Sequence, residues 1–238
     1  MKLDILVISA HPDDAELCCS GTIAKHIEKG DTVGMIELTK GELGTRGTPE
    51  LRIAEAEIAR KVLKVTVRDN LGFNDGLFTI DVEHKKRIAE KIRMYQPNLV
   101  ITNAPRDRHP DHGRASKLVS EACFLSGLRK FETFSDGKSQ APHRPSQIFH
   151  FIQNDYLEPD FVIDITPYWK TKVDSIKSFK SQFHDPNSNE PESFISSERF
   201  LDFIEGRARE MGHKIGVEFG EGFITSKMIE VQDLNAIL

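Results

Sequence analysis

The chain has 238 residues, 38% hydrophobic and 29% charged, which suits a soluble protein with one large core. Its net charge of −5 leaves no basic surplus to displace counterions from phosphates, so a general nucleic-acid binder is excluded. Three cysteines, Cys18, Cys19 and Cys123, without CxxC spacing give neither a disulfide framework nor a thiolate zinc knuckle.

In chain order, Asp4 to Ala10 is a short, continuous, β-branched run and reads as a buried strand. A helix from about Ala15 to Lys29 follows, closed by Gly30, and Asp31 to Thr39 is a second strand. After the Gly-rich loop Lys40 to Gly47, Thr48 is a sound N-cap and Pro49 fits the first turn of another helix. Thr66 to Leu71 reads as a third strand, Val82 to Tyr95 as a helix whose Lys85-Lys86-Arg87 run is a solvated face, and Leu99 to Asn103 as a fourth strand. A helix runs from after Asp111 to about Ser126, and Ser135 to Ser146 is polar and Pro-bearing, hence a loop. Gln147 to Gln153 and Asp160 to Ile165 are further strands, with helices after Pro167 and after Pro191 flanking the turn-rich His184 to Asn189.

Strand–helix alternation with short links predicts an α/β fold: a doubly wound, mostly parallel sheet with helices on both faces and a C-terminal elaboration. One domain, 1–238, is the simplest partition. No GxGxxG follows the first strand, which argues against a dinucleotide site. No apolar stretch reaches the roughly 18 residues of a membrane span, and the N-terminal apolar run is too short for a signal peptide. A reducing cytoplasm is the expected setting, with no membrane or nucleic-acid partner.

His-Pro-Asp stands where the glycines would, and it occurs twice. Ala10-His11-Pro12-Asp13-Asp14-Ala15-Glu16 follows the first strand, and Arg108-His109-Pro110-Asp111-His112 follows the fourth, 98 positions away (109 minus 11). Ligands of open parallel sheets bind outside the carboxyl ends of the strands, so the fold can bring both copies together. His11, Asp14 and His112 are the expected metal ligands: two imidazoles and a carboxylate suit zinc and leave a fourth position for water. The same set also suits Fe(II). Asp13, next to the metal but not on it, is placed as general base, and His109 as the group that stabilises the oxyanion and protonates the leaving amine. Asp111 is expected to hold the His109 tautomer and raise its pKa. A plainer reading stays open, since Asp13 and Glu16 have capping-box spacing for the first helix.

At these residues the chain resembles the LmbE/PIG-L family of zinc-dependent N-deacetylases, whose signatures are Ala-His-Pro-Asp-Asp after the first strand and His-Pro-Asp-His after a later one. Gly47 to Arg52, Leu71 to Gly76 and Glu221-Gly222-Phe223 match as well, so the similarity covers nearly the whole chain. Within the family it looks most like the bacillithiol-biosynthesis deacetylases, which remove acetyl from an N-acetylglucosaminyl malate. The resemblance implies a Rossmann-like fold, zinc on His11, Asp14 and His112, and Asp13 as base. Arg52 and Asp75 then match positions that hold substrate, Asp75 through sugar hydroxyls. Arg144 matches an arginine near the pocket, suited to malate carboxylates. It also implies a small-molecule N-acetyl sugar conjugate as partner and a homo-oligomer, hexamer or trimer. Two departures stand out: Asn74 where a proline is usual, and Phe194 where some relatives have tyrosine. Alternatives are another N-acetyl sugar or small amide, or a non-catalytic metal-binding module.

Overall fold

A computed structural model describes residues 1–233. Its seven-stranded sheet has the order β3-β2-β1-β4-β7-β9-β8. The strands are β1 (Ile5–Ser9), β2 (Val33–Thr39), β3 (Val67–Phe73), β4 (Leu99–Thr102), β7 (Gln147–Phe151), β8 (Phe161–Asp164) and β9 (Gly220–Thr225). β5 (Phe134–Ser135) and β6 (Lys138–Ser139) form a separate antiparallel hairpin. The helices are α1 (Asp14–Glu28), α2 (Pro49–Leu63), α3 (Val82–Tyr95), α4 (Pro110–Ser126), α5 (Trp169–Ile176) and α6 (Phe200–Lys214). None of the described helices is long and apolar enough to cross a membrane.

β1 lies at the centre of the parallel part, paired with β2 on one side and β4 on the other. Helices cover both of its faces, so β1 needs no polar side and all five of its residues are buried. Alternate side chains divide between two cores. Leu6 and Ile8 join Ile88 and Ile92 of α3 and Leu118 and Val119 of α4. Ile5 and Val7 join Ala15, Cys19 and Ile23 of α1 on the opposite face. Local signals set the helix ends as expected: the Thr48 hydroxyl accepts from the Leu51 N–H with Pro49 in the first turn, and Gly30 takes φ +97° after α1.

The strands depart from the sequence reading at two places. β9, not expected as a strand, slots between β7 and β8 and runs antiparallel to both. Its glycines hid it, because glycine weakens strands unless space demands it. Space demands it here: a Cβ on Gly220 would lie 2.6 Å from Val162 Cγ1, and one on Gly222 would lie 3.0 Å from Met211 Sδ. The second departure is the β5–β6 hairpin, which begins at Phe134 and extends into the expected loop. Its turn is Asp136-Gly137, both with positive φ, the sequence preferred for a two-residue hairpin loop.

The C-terminal elaboration packs as a third cluster on the α1 side. Ala56 and Ala59 of α2 meet Ile176, Phe179, Phe183 and Phe200 there, with Leu17 of α1 against them. A buried ion pair ties this layer to α1: Lys172 Nζ lies 2.8 Å from Glu221 Oε1. Lys172 also donates to the Glu16 and Leu17 carbonyls, and Glu221 accepts from the Gly21 and Thr22 N–H groups.

Candidate metal centre

Because chain order reverses direction between β1 and β4, the crevice at their carboxyl ends is a topological switch point. Both His-Pro-Asp copies open onto it, one leading into α1 and the other into α4. The His11 ring centroid lies 5.5 Å from that of His112 and 4.8 Å from that of His109. Residues that are 98 positions apart (109 minus 11) therefore share one site.

Asp14 stands between the two imidazoles: Oδ1 is 3.2 Å from His112 Nε2 and Oδ2 is 3.6 Å from His11 Nδ1. The far sides of both rings are taken by carboxylates. His112 Nδ1 lies 2.5 Å from Asp107, and His11 Nε2 lies 2.9 Å from Asp75 and 3.4 Å from Asp111. A carboxylate accepts only from an N–H, so these partners put the imidazole protons on His112 Nδ1 and His11 Nε2. In the neutral rings the lone pairs are then on His112 Nε2 and His11 Nδ1, the two atoms that face Asp14. Neutral donors meet part of this cluster, since Gln153 Nε2 lies 3.1 Å from Asp14 Oδ1 and 3.3 Å from His112 Nε2 and Asn103 donates to Asp14 Oδ2. The direct approach of Asp14 to the two ring nitrogens is favourable only with a cation there, extra protons or a metal ion. Burial works against charging both rings, yet the facing carboxylates raise the His112 pKa to about 9 and that of His11 well above its ordinary value. Burial likewise pushes Asp14 up, and the His112 charge with the His11 contact overrides it, holding Asp14 well below the carboxylate range. A divalent cation bound by these atoms would satisfy all three with both rings neutral, so the donor set fits a metal.

The site is rich in donors. Among the described residues, two sets have all three donor atoms within 4.8 Å of one another: His11, His109 and His112, and His11, Asp75 and Asp111. The expected triplet with Asp14 is not one of these two, although Asp14 touches both of its histidines.

Asp13 stands at the N-cap position of α1, but its side chain does not cap the helix. It sits at φ 113°, ψ −25° and makes no side-chain cap bond. A left-handed aspartate costs about 1–3 kcal/mol and persists only where its surroundings enforce it. Here Arg52 enforces it, donating to the Pro12 carbonyl at 2.9 Å and to Asp13 Oδ2 at 3.2 Å, and also to the Gly41 carbonyl. Burial raises the Asp13 carboxyl to about 7, against the opposing charge of Arg52. That value is close to what a base working near neutrality requires.

His109 caps α4: its Nδ1 accepts from the Asp111 backbone N–H at 3.2 Å, which leaves the ring proton on Nε2. Burial, then the charges of His11 and His112, lower its pKa, so it is a neutral donor rather than the expected imidazolium. Asp111 meets expectation in part: its charge raises the His109 pKa against burial and its backbone N–H fixes the tautomer, but its carboxylate does not bond the ring. Its carboxylate accepts from Gly76 N at 2.8 Å and from Arg114 and faces His11, so it orients His109 only through its backbone.

The three residues expected to bind substrate divide. Asp75 is at the site, held near pKa 2 by its His11 bond in spite of burial, and accepts from Leu43 N at 3.0 Å. Asn74, where a proline is usual, accepts from Leu77 N and Phe78 N in a turn, and Glu42 accepts from Asp75 N. Arg52 lines the cavity but spends its donors on the Asp13 loop, which makes it a support for Asp13. Arg144 is absent from the site. It stacks 4.4 Å over Phe124 and donates to the Phe124 carbonyl, at the end of α4 beside the amino ends of the strands.

Three residues escaped the sequence reading. Asn103 accepts from Ala10 N at 2.8 Å and donates to Asp14 Oδ2 and Gln153 Oε1, joining the ends of β1, β4 and β7. Gln153 donates to Asp14 Oδ1 at 3.1 Å and lies 3.3 Å from His112 Nε2. Asp107 holds His112 and accepts from Asp155 N at 2.7 Å. Asn103 and Gln153 stood at the carboxyl ends of expected strands, the same signal that singled out the histidines. All of this opens on a cavity of 580 Å³ whose outer wall includes Leu43, Arg46, Phe194 and Phe203.

Fold and site together define a Rossmann-like α/β protein with a candidate metal centre at the switch point of its sheet. The PIG-L family, described as GlcNAc-PI de-N-acetylase, matches residues 6–123. The conserved protein TT1542 from Thermus thermophilus is 32% identical with a TM-score of 0.86, covering 97% of this chain and 98% of that one. Diacetylchitobiose deacetylase from Thermococcus kodakarensis is 29% identical over 75% of this chain and 70% of its own. The probable N-acetyl-alpha-D-glucosaminyl L-malate deacetylase 2 of Bacillus subtilis is 27% identical over 76% of this chain and 84% of its own. The chain belongs to the PIG-L (LmbE) family.

Proposed function

We propose that the protein is a zinc-dependent amidohydrolase that removes the N-acetyl group from a glucosamine conjugate, with N-acetylglucosaminyl malate as substrate. The overall reaction consumes one water and yields a free amine and acetate. One observation carries the reading: acceptor faces of His11, Asp14 and His112 converge, and Asp13, a carboxylate that caps nothing, stands beside them with its pKa raised to about 7. Iron(II) is compatible with the same donors.

His11, Asp14 and His112 would hold the ion, with Asp107 and Asp75 fixing the ring orientations. Zinc, when bound, lowers the pKa of water and polarises a carbonyl oxygen. Asp13 accepts the proton of the attacking water and returns it toward the departing nitrogen. His109, with its proton on Nε2, donates a hydrogen bond to the oxyanion as the carbonyl becomes tetrahedral. We assign Asp75 to sugar hydroxyls, a role supported by its position beside His11 at the cavity. The malate assignment is supported by the resemblance to the Bacillus subtilis protein; the diacetylchitobiose relative supports a neutral N-acetyl sugar as the competing substrate. Acetate release, measured on both compounds with zinc-loaded and chelator-treated protein, tests the reading. No metal-dependent acetate from either compound would refute it.

A further inference from the structure

Beyond the metal cluster, the cavity wall carries a buried charge that no hydrogen-bond acceptor among the described residues satisfies. Arg46 lines the cavity with a side chain only 6% exposed. Its Nε is fully buried without a hydrogen-bond partner. The nearest carboxylate, Glu190, is 46% exposed and stands 3.5 Å from Nε, too far for a good hydrogen bond. Arg52 and Arg68 also leave one buried nitrogen each unpaired, but both make several other hydrogen bonds, whereas the Arg46 side chain makes none among the described residues. Arg93 donates to the Ser126 and Leu128 carbonyls and the Thr133 hydroxyl, and Arg68 is bracketed by Glu16 and Glu37. Burying a guanidinium without acceptors is costly, and such a group is matched when a ligand brings the oxygens.

The backbone around Arg46 is fixed in advance. Gly47 holds φ +69°, where a Cβ would lie 2.7 Å from Ser181 Oγ, and Gln182 donates to the Arg46 carbonyl at 2.8 Å. At the other end of the same loop, Leu43 N donates to Asp75. The rim carrying Arg46 is therefore tied directly to a residue that touches His11. The carboxylates on the cavity wall are already engaged, by Arg52, the imidazoles or Lys172. Arg108 adds a second cation at the mouth, stacked 4.2 Å over Phe194. Arg46, which shares only the half-exposed Glu190, and Arg108 are thus cations of the wall held by no buried carboxylate.

We infer that Arg46 is a specificity-determining residue that receives an oxyanion, carboxylate or phosphate, on the part of the substrate remote from the acetamide. The preferred substrate is then an anionic N-acetyl amino-sugar conjugate, not a neutral oligosaccharide. This rests on the deacetylase reading above and adds the residue that selects among its substrates. Arginine suits the role because its planar fork matches both anions.

The test compares kcat and KM on N-acetylglucosaminyl malate, N-acetylglucosamine 1-phosphate and neutral diacetylchitobiose for the zinc-loaded wild type, Arg46→Gln and Arg46→Lys. The ratio of kcat/KM on the anionic compounds to that on the neutral one falls at least about tenfold in Arg46→Gln, through KM, and Arg46→Lys recovers part of it. The anion whose preference collapses identifies its chemistry. Equal losses on charged and neutral substrates, or an unchanged ratio, overturn the inference. Calorimetric titration of malate and of inorganic phosphate gives a readout without turnover: binding at least about tenfold weaker in Arg46→Gln is expected, and no Arg46-dependent binding overturns the subsite. Arg46-dependent binding without acetate release from any substrate would leave the subsite standing and sink the deacetylase reading instead.

Discussion

Asp107→Asn separates the proposed metal centre from a mere cluster of polar side chains. The Asp107 side chain is buried and lies 2.5 Å from His112 Nδ1, where as a carboxylate it can accept only an N–H. Asparagine offers an amide that can donate to Nδ1, and that donation moves the ring proton to Nε2, the atom 3.2 Å from Asp14. A protonated Nε2 cannot ligate, so metal must displace the proton or reverse the amide. Loss of such a partner costs about 10–100-fold in metal affinity, about 1.4–2.8 kcal/mol. The contact to Asp155 N survives, because asparagine keeps one carbonyl oxygen for it. Competition against a chromophoric chelator measures the zinc dissociation constant, with circular dichroism confirming the fold. A folded Asp107→Asn protein whose zinc affinity lies within a factor of two of wild type would refute the reasoning.

Four other outcomes are expected. Asp13→Asn keeps its zinc but loses about 10²–10⁴-fold in kcat, checked by metal content and acetate release. In metal-free protein, the raised His112 pKa adds stability that is complete below the ordinary 6.5 and lost as pH rises through about 9. Thermal melts of chelator-treated protein should fall across that window, and zinc should flatten the fall. Lys172→Met should destabilise by about 3 kcal/mol in denaturant titrations, because it leaves the buried Glu221 carboxylate with two backbone N–H donors but no counter-charge. Arg144→Ala should leave kcat/KM within twofold of wild type on any substrate, since its partners lie at the other end of the strands.

The parts of the fold that follow from local chemistry were legible in the sequence. β1 and β4 announced themselves as continuous apolar runs because parallel strands are buried on both faces, and Thr48-Pro49 marked the start of α2. β9 was not legible, because its glycines answer to Val162 and Met211, which only tertiary packing brings near. The site divides the same way. The paired His-Pro-Asp segments at strand ends foretold that His11, Asp14 and His112 would meet, since the switch point depends on topology alone. What each carboxylate then contacts was beyond reach. Asp111 bonds to Gly76 and Arg114 rather than to the His109 ring, and Asp107, with no motif around it, is the one that takes His112. Arg144 failed because likeness to a relative's arginine carries no information about which end of the sheet its loop occupies.

Asp13 shows how one sequence spacing can hide two different geometries. A capping aspartate would sit in extended backbone and accept from the N–H groups of the first turn, which favours its charged form. Asp13 has φ 113° and no such bond, while Glu16 reaches instead to Arg68 at 2.6 Å. A cap would therefore have lowered the carboxyl pKa, whereas burial without those donors raises it to about 7. Asp13 with Glu16 thus fits two electrostatic outcomes of opposite sign. Only the one found here raises the pKa of a carboxylate that stands beside a set of converging ligands.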